Sequence, residues 1–259
     1  MTIHYEEYGV NNAPLMLFLH GGGVSNWMWD EQIHYFRNYH VVVPDLPEQG
    51  LSANVGKFSI EYSAEQLNKL IIEKGTGKKV IVIGFSLGAQ IAIQMLSMQP
   101  QLIDYAIINS ALVRPSPLAK LLIKPTIRLT YPLVRNRSFA RLQAKTLYVH
   151  HNYFEKYYRE SCQMKLETLV RILEENMSFA IPDQFQLATT KILVTVGAKE
   201  NFMMKKSAVD LVHNNINCRG LIIANVGHGL PLANSTYFNQ MVEDWIREEK
   251  LPQNCKVIQ

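Results

Sequence analysis

Ser86 stands in the pentapeptide Gly84-Phe85-Ser86-Leu87-Gly88, directly after the apolar run 80–83 and before a helical pattern carrying Leu87, Ile91 and Met95. A serine on so sharp a strand-to-helix turn needs small neighbours, because its own backbone is strained and the flanking chain approaches closely. Such a turn projects the hydroxyl above the sheet edge and sets the Leu87 N–H at a helix N-terminus, ready for a developing oxyanion. The chemistry this suits is nucleophilic attack on a carbonyl carbon. The pentapeptide alone also reads as a glycine-rich turn with a serine cap; the strand before it and the helix after it favour the nucleophile. His20-Gly21-Gly22-Gly23 follows an earlier apolar run. Glycines there let the backbone come close to a substrate oxygen and donate an N–H, from Gly22 or Gly23. A phosphate-binding loop does not fit: no Gly-Lys-Ser/Thr follows, and Gly75-Thr76-Gly77-Lys78-Lys79 lacks the spacing and the hydroxyl.

The elements that must hold these residues are short apolar runs at 15–19, 41–43, 80–83, 107–108, 192–196 and 221–224. Each is non-alternating, as strands buried on both faces of a parallel sheet are. Helical patterns lie between and after them, one with Trp29, Ile33 and Phe36, the last with Phe238, Met241, Trp245 and Ile246. The alternation predicts an α/β sandwich around a mostly parallel sheet. It breaks once, from 113 to 187, where the chain is helical in composition and punctuated by Pro115, Pro117, Pro125, Pro132 and Pro182. A structureless loop of that length is out of keeping with a compact domain. The expectation is a core of 1–112 and 188–259 and an inserted helical cap, 113–187, over the carboxyl ends of the strands. Pro125 and Pro132 should interrupt any long helix in it.

Taken together, these motifs resemble the α/β-hydrolase fold family, in particular its cofactor-free, helically capped serine hydrolases. The resemblance runs over nearly the whole chain. The family's oxyanion motif corresponds to His20-Gly21-Gly22-Gly23, and its nucleophile elbow to the turn at Ser86. Its Asp-x-Pro-Gly-x-Gly turn corresponds to Asp45-Leu46-Pro47-Glu48-Gln49-Gly50, where Glu48 and Gln49 replace the usual Gly and His. The resemblance implies that His228, in Val226-Gly227-His228-Gly229, is the general base, and that His20 orients its loop. It implies that the acid is Glu200, after the run 192–196, in a position more usually Asp. The family's alternative acid position, after 107–108, holds Asn109 and Ser110, and Asp210 is a second candidate whose spacing suits a helix. Ser86, Glu200 and His228 follow the family's chain order. A serine nucleophile argues against the dehalogenases and epoxide hydrolases of this fold, which use Asp.

The expected activity is hydrolysis of a carboxylic ester or related acyl compound through an acyl-enzyme. The oxyanion would be held by Leu87 N–H and by Gly22 or Gly23. Thioesterase, lactonase, carbon–carbon hydrolase and acyltransferase chemistry stay open, as does a ligand sensor of the same fold with slow turnover. The resemblance implies no cofactor. His150 and His151 lack a ligand-spaced carboxylate or cysteine, which argues against a metal site.

Composition bounds the rest. In 259 residues, 47% apolar and 19% charged, the chain reads as globular, not disordered, collagenous or coiled coil. It has no apolar run near the ~20 residues of a membrane span. Three widely spaced cysteines, Cys162, Cys218 and Cys255, and an N-terminus without a signal pattern suit a reducing, cytoplasmic setting. The net charge of +4 gives no reason to expect nucleic acid, but it is unevenly placed. No acidic residue lies between Asp104 and Glu155, where Arg114, Lys120, Lys124, Arg128, Arg135, Arg137, Arg141 and Lys145 fall; elsewhere 18 basic residues face 22 acidic ones. Lys120, Lys124 and Arg128 are four apart, on one helical face. This basic cap reads either as a solvated surface or as a contact for anionic lipid or an acidic substrate.

Overall fold

The computed structural model describes residues 2–253 and 255–258. Among these residues eight strands form one sheet: β1 (Tyr5–Gly9), β2 (Leu15–Leu19), β3 (His40–Pro44), β4 (Val80–Phe85), β5 (Tyr105–Asn109), β6 (Lys191–Gly197), β7 (Cys218–Ile223) and β8 (Lys256–Ile258). Their order is β1-β3-β2-β4-β5-β6-β7-β8, parallel from β3 to β7 and antiparallel at both edges. The six apolar runs occupy β2 to β7. Among the described residues ten α-helices accompany them: α1 (Asp30–Tyr35), α2 (Ile60–Gly75), α3 (Leu87–Met98), α4 (Pro117–Thr130), α5 (Arg137–Thr146), α6 (Phe154–Gln163), α7 (Leu166–Ser178), α8 (Phe202–Asn214), α9 (Leu230–Ala233) and α10 (Ser235–Glu248).

The continuous apolar runs are needed because successive strand residues enter two different cores. Leu15, Leu17, Leu19, Val80 and Val82 pack with Leu67 of α2, Ile91 and Met95 of α3 and Leu211 of α8. Met16, Phe18, Ile81 and Ile83 face the other way, onto Ile33 of α1 and Phe238, Met241 and Trp245 of α10. Parallel pairing brings the carboxyl ends of β2, β4, β5, β6 and β7 to one side of the sheet. His20, Ser86, Ser110, Glu200 and His228 sit in the loops that leave those ends.

Helices α4 to α7 form the helical cap between β5 and β6. Contrary to expectation, Pro125 does not end a helix; α4 runs through it. The carbonyl that loses its donor is that of Leu121, a residue on the exposed side of the helix, where water is at hand to replace a missing donor. Carboxylates tie the cap to the core. Glu48 accepts from Thr168 (3.0 Å) and from Arg171 Nε (2.8 Å). Glu160 of α6 accepts from Ser25 and from Trp27 Nε1, both at 2.8 Å. Glu175 of α7 accepts the free Ile60 N–H that opens α2 (2.8 Å). Among the described residues, no helix is long and apolar enough to cross a membrane.

Candidate active site

The turn between β4 and α3 holds Ser86 at φ 53°, ψ −112°, a conformation costly for any residue with a side chain. The flanking glycines are demanded by contact. A Cβ on Gly84 would lie 2.5 Å from the Gly88 carbonyl oxygen, and one on Gly88 would lie 2.3 Å from that of Leu19. The Ser86 N–H is fastened to the Asn109 carbonyl (2.9 Å).

Three side chains from separate loops line up. His228 Nε2 lies 2.9 Å from Ser86 Oγ, and His228 Nδ1 lies 2.7 Å from Glu200 Oε2. The other oxygen of Glu200 accepts from Gly197 N–H (2.9 Å) and from the Ser110 hydroxyl (2.7 Å). Burial alone would raise the Glu200 pKa. The bonds from His228, Gly197 and Ser110 outweigh it and hold the carboxyl below its ordinary value. Asp210 is elsewhere, on α8, in a bidentate pair with Arg114 (2.5 and 2.8 Å). Ser110, in the family's alternative acid position, stands at φ 58° with its hydroxyl on Glu200, a role that nothing in its sequence setting marks. Tyr148, reaching from the cap, accepts the Gly227 N–H beside His228 (3.1 Å).

His20 is fully buried and braces the neighbouring loop. The Leu46 N–H donates to its Nε2 (2.9 Å), leaving Nδ1 to carry the proton, which it donates to the Gly21 carbonyl (2.7 Å). Burial lowers its pKa, in keeping with a neutral ring. The two glycines that follow are not equivalent. Gly23, at φ 80°, gives its N–H to Gln49 Oε1 (3.1 Å). Gly22 packs beside Leu87, with its built Cβ position 3.5 Å from Leu87 Cδ2. Among the described residues no acceptor is found for the N–H of Gly22 or of Leu87, so both are open to a ligand.

Two cavities meet at Ser86. The smaller, about 400 Å³, is walled by Gly22, Leu87, Leu169, Ile172 and Leu173. The larger, about 960 Å³, is lined by His228, Tyr148, Leu142, Met203, Lys145 and Lys199. No group of three or more metal-ligating side chains occurs among the described residues.

The chain is similar to an AB hydrolase superfamily protein of Gibberella zeae, 29% identical over 110 residues, 42% of this chain and 39% of that protein. It is similar also to an esterase of Mycobacterium tuberculosis, 34% identical over 111 residues, 42% of this chain and 36% of the esterase. It thus spans less than two fifths of the length of these relatives. Its fold is that of an esterase of Exiguobacterium antarcticum, with a TM-score of 0.80 at 18% identity over 95% of this chain and 96% of that one. Residues 16–240 match the Alpha/beta hydrolase family, and the chain belongs to that family.

Proposed function

We propose that this protein is a serine hydrolase that cleaves a carboxylic ester or related acyl compound through Ser86, His228 and Glu200. The observation that carries the reading is the unbroken hydrogen-bonded row Ser86–His228–Glu200, with spans of 2.9 and 2.7 Å. Ser86 Oγ attacks the acyl carbon as His228 Nε2 takes its proton, and Glu200 stabilises the resulting imidazolium. The N–H groups of Leu87 and Gly22 hold the oxyanion. Gly23 is the weaker candidate for that role because Gln49 already occupies its N–H. His228 then protonates the leaving group, the acyl-enzyme forms, and a water activated by His228 releases the acid.

The proton path sorts the two cavities. A leaving group that takes its proton from His228 belongs in the larger cavity, which His228 lines. The acyl chain then enters the smaller one, beside the oxyanion donors and the apolar wall of α7. The test is labelling with a fluorophosphonate, followed by turnover of esters of increasing acyl length by wild type and Ser86→Ala. The expected result is labelling at Ser86, loss of turnover in the variant, and an acyl-length optimum set by the 400 Å³ cavity. Equal turnover by Ser86→Ala refutes the proposal. Labelling without turnover of any ester would move it to the sensing role.

A further inference from the structure

One helix of the cap is apolar on both sides. Ile123 is the buried residue of α4, which packs against α7. At 3.6 residues per turn, Leu118, Leu121, Leu122 and Leu129 gather on the side turned away from Ile123. They are 70%, 73%, 52% and 82% exposed. Lys120, Lys124 and Arg128, successive at one turn, run as a second exposed row along the flank of that ridge. Arg114 and Arg137 are paired with Asp210 and Glu155, and Arg141 lies over the Phe154 ring. The row on α4 has no carboxylate partner among the described residues.

We propose that α4 is a docking element that seats this protein on an anionic lipid surface. The leucine ridge enters the interface and the basic row meets the headgroups. An apolar face beside a cationic stripe is the chemistry of a helix lying in the interface plane. With 14 residues, α4 is too short to span. The charge pattern favours this occupant over a second copy of the chain. An antiparallel two-fold contact through α4 would set each basic row against its own image, and in either pairing the acid-free stretch 105–154 offers the row no carboxylate. Docking would also place a surface-bound molecule at the catalytic cleft, because Ser116 and Ala119, at the start of α4, line the larger cavity.

The test is sedimentation of the full chain with vesicles of phosphatidylcholine alone and of phosphatidylcholine mixed equally with phosphatidylglycerol. Wild type and Ser86→Ala should bind the mixed vesicles at least about tenfold more tightly, and less so as salt is raised. The triple variant K120Q/K124Q/R128Q should lose about a hundredfold on mixed vesicles, near fivefold per charge. L121N/L129N should lose roughly tenfold per leucine, with an unchanged melting temperature and unchanged fluorophosphonate labelling. Equal affinity for the two vesicle types, no sedimentation with either, or unchanged binding by either variant overturns the proposal. So does a wild-type dimer that L121N/L129N converts to monomer, which gives the face to a second copy. Binding to polyglutamate without binding to vesicles overturns it too, in favour of an acidic polypeptide.

Discussion

Replacing Glu200 by Gln separates charge and tautomer from shape. The amide keeps one carbonyl oxygen, which can still accept from Gly197 N–H and Ser110. Its NH2 group then faces His228 Nδ1, where the carboxylate oxygen stood 2.7 Å away. An amide donating there forces the imidazole proton onto Nε2, pointing at Ser86 Oγ 2.9 Å away. A base in that tautomer cannot take the serine proton. The loss expected for such a change is about 10⁴ in kcat, which is about 5 kcal/mol of barrier at ~1.4 kcal/mol per tenfold. The assay is steady-state hydrolysis of an activated aryl ester, with the rate of fluorophosphonate labelling alongside. Asp210→Asn is the control: it weakens a solvent-screened pair with Arg114 of small worth to stability, and should leave kcat within about twofold. Retention of more than a tenth of kcat by Glu200→Gln, or an equal fall in Asp210→Asn, refutes the argument. The same variant carries a pH signature. The Glu200 carboxyl is held below its ordinary 4.5, so its contribution to stability is present above that pH and is lost as pH falls through the lower folded value. Urea midpoints of wild type and Glu200→Gln should therefore lie apart near neutrality and converge below pH 4.5.

Ser110→Ala removes the hydroxyl from Glu200 and trims one atom from the wall of the larger cavity, which Ser110 lines; kcat should fall by roughly tenfold, the worth of one charge-assisted hydrogen bond, and by more than KM changes. Gly88→Ala drives a methyl group to 2.3 Å from the Leu19 carbonyl; it should cost at least about 4 kcal/mol, seen as a melting temperature lower by ~10 °C or as insoluble protein. Glu48→Ala should destabilise the fold by about 1–3 kcal/mol through unmade bonds to Phe58, Thr168 and Arg171. A double-mutant cycle with Arg171→Ala should return a coupling of at least about 1 kcal/mol in urea unfolding, and a coupling near zero would show the cap contact to be idle.

The parallel strands were legible because burial on two faces leaves a distinctive run, as at 15–19 and 80–83. The edge strands were not. β1 is half exposed, with Glu6 and Glu7 at its centre, and β8 is three residues long. Nothing local separates such a strand from a loop, since pairing with β3 or β7 defines it. Helix α2 was also missed, although Leu67, Leu70 and Ile71 carry the right spacing and Ser59 caps it by accepting the Tyr62 N–H. At the site, Ser86 was readable because its constraint is local: a strained turn between two glycines. His228 and Glu200 could be picked out only through the family pattern, for they meet Ser86 and each other across 142 and 28 positions of chain. Ser110 had no signal at all, because its partner is 90 residues away and its own setting reads as the absence of an acid.

The turn at 45–50 shows why departures from a family pattern carry information. Glu48 sits at φ 61°, where glycine is at home and a side chain costs about 1–2 kcal/mol. Its carboxylate supplies what a glycine could not, accepting from Phe58 N–H (2.8 Å), from Thr168 (3.0 Å) and from Arg171 (2.8 Å). Burial tends to raise its pKa, but Arg171 and the other donors keep it lowered and ionised. The next residue, Gln49, holds the Gly23 N–H and thereby fixes the chain one residue from Gly22. Thr168 and Arg171 belong to α7, whose Leu169, Ile172 and Leu173 wall the smaller cavity. One short turn therefore joins the helix that shapes that cavity to the loop that presents its backbone donors. With glycine and histidine in those two positions, the turn itself could be kept, but the ionic link from it to the cap would be gone.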